Sequence, residues 1–154
     1  MQKTIQIFSR RIALVVSTML IVSVSQVTAQ SGSDAELIKQ AALDYIEGWY
    51  EGNAERMERA LHPELAKRIV RTDSQRRSNL GQMGAMTLVQ STRMGGGKNT
   101  AKEKQQKDVT VLDIFGNAAC AKVIASDWID YLHLAKWNGR WVIVNVLWEL
   151  KPQK

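Results

Sequence analysis

The chain has 154 residues, 21 of them Lys or Arg and 15 Asp or Glu, and a formal charge of +6; that length suits one domain, not two. Its single cysteine, Cys120, rules out an internal disulfide, and its two histidines argue against a histidine-rich metal site. Lys3, Arg10 and Arg11 are three of the basic residues, so the chain beyond Ala29 carries only +3, too small an excess to indicate a nucleic-acid partner.

Met1 to Arg11 is basic without an acid, Ile12 to Val24 is almost wholly apolar, and Val27-Thr28-Ala29 places small residues at a cleavage position. This is the pattern of a secretory signal peptide over residues 1–29. The apolar run is shorter than the roughly 20 residues that a membrane span needs. The expectation is a periplasmic or secreted protein, free of the membrane after cleavage, with residues 30–154 as its one domain.

Ser33 to Glu51 reads as the first helix. Ser33-Asp34-Ala35-Glu36 is a capping box, and Leu37, Ile38, Ala41, Ala42, Tyr45, Ile46 and Trp49 recur at helical spacing. Gly52 ends it. Asn53 caps a second, short helix through Leu61, stopped by Pro63. Leu65 to Thr72 is a short strand. Leu80 to Met94 carries Leu80, Met83, Met86 and Val89 on one side, which predicts a helix closed by Gly95-Gly96-Gly97. Lys98 to Lys107 is polar and aperiodic, a loop. Residues 67–107 hold ten basic and two acidic residues, but no aromatic is interleaved for base stacking.

Strands follow. Val109–Phe115 and Ala118–Ser126 flank Gly116-Asn117, and Trp128–Trp137 and Trp141–Leu150 flank Asn138-Gly139, a strong hairpin signal. A regular ladder from that turn pairs Leu134 with Ile143, Leu132 with Asn145, and Asp130 with Leu147. Trp128, Asp130, Leu132, Leu134, Trp141, Ile143, Asn145 and Leu147 then share one face. Ile129, Tyr131, His133, Ala135, Val142, Val144, Val146 and Trp148 share the other. Both faces are largely apolar, whereas a sheet with one wet face alternates. The helices cover one face; a second copy of the chain is the economical cover for the other, with His133 in that contact.

Tyr45-Ile46-Glu47-Gly48-Trp49-Tyr50-Glu51-Gly52-Asn53, with Met57 and Ala60-Leu61-His62-Pro63, resembles the opening of the lumazine-binding-like family. Trp128-Ile129-Asp130-Tyr131-Leu132-His133-Leu134 and Asn138-Gly139-Arg140-Trp141-Val142-Ile143-Val144-Asn145 resemble its last hairpin. That family belongs to the nuclear transport factor-like superfamily, with scytalone dehydratase, ketosteroid isomerase and polyketide cyclases. The resemblance covers nearly all of residues 30–154. It implies an α+β, cystatin-like cone: N-terminal helices packed in a strongly curved antiparallel sheet, with a pocket between them and dimers through the outer sheet face. It implies no particular activity, because a shared fold does not carry one.

Asp130 and Asn145, placed on one face, are the candidate polar pair of that pocket. A carboxylate in an apolar cone has its pKa raised by desolvation, so Asp130 is the candidate catalytic residue. The alternative is a structural Asp130 with satisfied hydrogen bonds. The candidate ligand-binding residues are Tyr45, Trp49, His62, Asp130, Asn145, Trp141 and Leu147. A core or pocket-wall role fits Trp128 and Trp148 as well. No metal and no cofactor are expected, and the expected ligand is a small apolar or aromatic molecule. The leading expectation is an exported small-ligand-binding or accessory protein. The alternatives are a cofactor-free lyase or isomerase using Asp130 and a dimerisation or assembly module.

Overall fold

The computed structural model describes residues 33–152; the signal-peptide reading of residues 1–29 lies outside them. Helix α1 (Asp34–Glu51) begins as its capping box requires. The Ser33 Oγ accepts from the Glu36 N–H at 3.3 Å, and the Ser33 N–H donates to the Glu36 carboxylate at 2.8 Å. Gly52 closes it in the left-handed region, at φ 65°. Helix α2 (Ala54–Ala60) is capped by Asn53, whose Oδ1 accepts from the Arg56 N–H at 3.0 Å.

Strand β1 (Leu61–Thr72) begins four residues before the expected Leu65. Pro63 pushes His62 towards extended backbone, so the chain leaves α2 directly into the sheet. The expected helix over Leu80–Met94 divides into strand β2 (Ser78–Met83) and helix α3 (Ala85–Arg93). Gly81 and Gly84 weaken a helix across this stretch. β2 instead pairs antiparallel with β1, Lys67 opposite Met83 and Thr72 opposite Ser78. The loop expected over residues 98–107 holds one short 3-10 turn, Lys102–Lys104, before β3 (Lys107–Phe115). Strands β4 (Ala118–Ala125), β5 (Trp128–Trp137) and β6 (Arg140–Leu150) complete the chain.

The sheet runs β2-β1-β6-β5-β4-β3. It is mixed: β1 pairs parallel with β6, and every other pair is antiparallel. The expected all-antiparallel sheet is corrected at that one pairing, whose crossover is the chain from β2 through α3 to β5. α1 packs across β3, β4 and β6, burying Ile38, Ala42, Tyr45 and Ile46. Facing them are Ala121, Val123, Leu132, Leu134, Ile143 and Val146.

Two bulges in the antiparallel ladders set the faces. One leaves Leu112 unpaired in β3. The other lies in β6, where Leu134 pairs with Ile143 but His133 pairs with Asn145, so Val144 is the extra residue. A bulge moves every later side chain to the opposite face. Val146 and Trp148 therefore face the helices, and Asn145 and Leu147 face outward. That reverses the placement expected from a regular hairpin, while Asp130, Leu132 and Leu134 on β5 face inward as expected.

Candidate functional site

A cavity of about 140 Å³ lies between the helices and the inner sheet face. α1 contributes Tyr45 and Trp49, α2 Met57, and α3 Leu88 and Ser91. β1 contributes Lys67, β2 Met83, and β5 and β6 Trp128 and Trp148. The walls are nearly all apolar. Trp49 meets Trp128 edge to face, with ring centroids 6.4 Å apart. The turn after α3 seals the other side of Trp49. A Cβ on Gly97 would come within 2.5 Å of the Trp49 carbonyl oxygen and of its Cδ1, so only a glycine lets the chain pass there.

At one end of the cavity is a buried polar cluster. The Asp130 side chain is 0% exposed and that of Lys67 is 7% exposed. The Lys67 ammonium donates to Asp130 Oδ1 and, at 2.7 Å, to the Tyr45 hydroxyl oxygen. The Tyr45 hydroxyl donates to Asp130 Oδ2 at 3.2 Å, and Trp128 Nε1 donates to the same oxygen at 2.6 Å. The ammonium also lies 4.7 Å from the Trp148 ring centroid and 5.4 Å from that of Tyr45, within cation–π range. Burial, followed by the Asp130 charge, pushes the Tyr45 hydroxyl well above its usual 10.0, so it stays neutral. Burial pulls the Lys67 ammonium below its usual 10.5 against the opposing pull of Asp130.

Three of the sequence-based candidates come together here: Tyr45, Trp49 and Asp130. Four do not. Asn145 lies on the outer face, where it accepts from Arg68 Nη1 at 2.8 Å and lies 3.2 Å from His133 Nδ1. Leu147 is on that face too, half exposed. The Val144 bulge displaces both. Trp141 is buried, but its Nε1 donates to Asp34 at the start of α1. His62 packs edge-on against Trp137 at 5.0 Å, and its Nδ1 accepts from the Glu64 N–H. Asp130, Asn145 and His62 do not converge.

Sequence reasoning missed Lys67. The signal was present in β1: Leu65, Lys67 and Ile69 alternate onto one face, and both flanking apolar residues are buried. A lysine between them is directed into the interior, where it needs an anionic partner.

A sequence model of the family described as Putative lumazine-binding matches residues 33–149. No curated protein matches the chain. Among solved structures, an NTF2-like protein of unknown function from Methylobacillus flagellatus is 25% identical, with a TM-score of 0.61 over 79% of this chain and 97% of that one. An NTF2-like protein with a cystatin-like fold from Novosphingobium aromaticivorans is 12% identical, TM-score 0.57, over 79% and 84%. A ketosteroid isomerase-like protein from Erwinia carotovora is 11% identical, TM-score 0.51, over 79% and 99%. These likenesses establish an NTF2-like α+β fold and carry no activity.

Proposed function

Because the chain belongs to the Putative lumazine-binding family through residues 33–149, we propose that it holds a small, flat, largely apolar molecule in the cavity between α1 and the sheet. The observation that carries this reading is the wall itself. Trp49, Trp128 and Trp148 enclose a space with a single charged lining residue, Lys67, the pattern of an apolar pocket with a few orienting polar groups. The acid–base alternative is less favoured. Both oxygens of Asp130 are engaged by three donors, which leaves neither oxygen free to take a substrate proton.

The reading includes export, from the signal-peptide pattern of residues 1–29, and thus a periplasmic or secreted location. It also includes a homodimer through the outer sheet face. Tyr131 (48% exposed) and Leu147 (50% exposed) are cross-strand partners there. Ile129 is half-buried beside them, and Lys122, Arg68, His133 and Asn145 are their other neighbours in the sheet. Exposed large apolar side chains ringed by polar residues favour self-association through the same surface on two copies. Native mass spectrometry of protein purified from its own host tests the reading. The expected result is a retained small molecule, a dimer mass and a chain beginning near Gln30. Protein that is empty and binds no flat apolar molecule on titration would overturn the ligand reading.

A further inference from the structure

The polar side chains around the cavity are turned towards one another. Asp130 takes hydrogen bonds from Lys67, Tyr45 and Trp128 Nε1, and it does not itself line the cavity. The Tyr45 hydroxyl accepts from Lys67 and donates to Asp130. The Lys67 ammonium lies over the face of the Trp148 ring, 4.7 Å from its centroid. Trp148 Nε1 is buried and offers a ligand no surface. The Nε1 edge of Trp49 lies against the turn after α3, where a Cβ on Gly97 would come within 2.7 Å of it. The cavity therefore presents aromatic rings and the side chains of Met57, Met83 and Leu88, and it leaves the Ser91 hydroxyl as the polar side-chain group on the wall.

Lumazine, the molecule in the family's description, does not suit such a wall. It is a fused two-ring dione with ring nitrogens, so hydrogen-bonding atoms occupy most of its rim. Buried here, one of them can meet Ser91, and the others lose their water without replacement. A polar group buried without a partner is costly, about tenfold in affinity for each. A charged ring fares no better. Lys67 is already neutralised by Asp130, and an anion would meet no unpaired cation on the wall. Size points the same way, since a void of about 150 Å³ holds one benzene ring and this one is about 140 Å³.

Resting on the binding reading above, we infer that the cavity takes a neutral hydrocarbon ring, without hydrogen-bonding atoms in its buried part, and rejects lumazine itself. The selection comes from the closed hydrogen-bond circuit of Lys67, Asp130, Tyr45 and Trp128, which keeps the polar side chains around the cavity occupied. The ring is held by contact with Trp49, Trp128 and Trp148 alone.

Isothermal titration calorimetry with toluene, naphthalene and lumazine tests this, on protein purified from its own host and dialysed free of small molecules. Naphthalene has the two-ring outline of lumazine without its polar atoms, so that pair separates polarity from size. Toluene is expected to bind at least about tenfold more tightly than lumazine, the value of one or more unpaired polar groups, and naphthalene also more tightly than lumazine. Ser91→Phe sets a ring in the void and is expected to abolish toluene binding. Lumazine as tight as naphthalene, or tighter, overturns the inference and leaves the flat-molecule reading standing. Toluene binding unchanged in Ser91→Phe puts the ligand outside the cavity and overturns both, as does failure of all three probes to bind. The ranking on the parent protein decides the question even if Ser91→Phe does not fold.

Discussion

Lys67→Met tests the cluster at the head of the cavity. Methionine nearly matches the lysine stem in volume, so packing against Met83 and Trp148 is largely kept. The charge is lost. Asp130, 0% exposed, then retains two neutral donors, Tyr45 and Trp128, and no cation. Removing one partner of a buried pair costs about 3–5 kcal/mol. For a domain of this size that lowers Tm by roughly 10–20 °C, a large part of the 5–15 kcal/mol typical of whole domains. Adding Asp130→Leu removes the stranded carboxylate, and the double variant is expected to regain at least half of the loss. Thermal and urea melts of the parent, both single variants and the double variant form the cycle. A Lys67→Met protein melting within 2 °C of the parent would refute the argument, as would a double variant no more stable than Lys67→Met alone.

Three further outcomes follow from the same structure. Gly97→Ala forces a Cβ against Trp49 and should cost about 1–3 kcal/mol by overpacking; a Tm unchanged within error counts against that close approach. Burial raises the Asp44 carboxyl, but hydrogen bonds from Arg59 and Arg56 outweigh burial and hold it below 3.8. Its contribution is therefore complete above the unfolded value and lost as pH falls below about 4. Asp44→Asn should flatten the acid limb of a stability–pH curve, and an equally steep limb in the variant would contradict this. Leu147→Asp sets a charge on the exposed outer face and should turn the proposed dimer into monomer in analytical ultracentrifugation without lowering Tm by more than a degree or two.

The local signals in the sequence were strong where one residue type settles a backbone decision. Ser33 with Glu36, Asn53, Gly52 and the Asn138-Gly139 turn each fix an element boundary through their own hydrogen bonds or left-handed geometry, and these boundaries were legible. The Leu80–Met94 stretch was not. Its apolar spacing fits a helix, yet β2 forms there because β1 offers an unpaired edge, and no residue within 80–94 encodes that edge. Lys67 was hidden for a related reason. Its partners Tyr45 and Asp130 lie 22 residues before it and 63 after it, so only the fold reveals the pairing.

The chief error in the site, by contrast, comes from one residue. Asn138-Gly139 set the start of the last hairpin correctly, through Trp137 opposite Arg140 and Leu134 opposite Ile143. Five residues past the turn, Val144 drops out of the ladder, and β6 exchanges its faces. A β-branched residue in an apolar run gives no warning of this, because Ile143, Val144 and Val146 suit either face equally. Tertiary demands explain the choice. Without the bulge, Asn145 and Leu147 would lie over Asp130, and neither supplies a ring for the Lys67 ammonium. With it, Val146 enters the core and Trp148 reaches the cavity beside Lys67. Asn145 moves out to meet Arg68 and His133. The bulge thus gives the Lys67 ammonium a ring on the inner face and Asn145 polar partners on the outer one, and it is the feature on which the cavity wall depends.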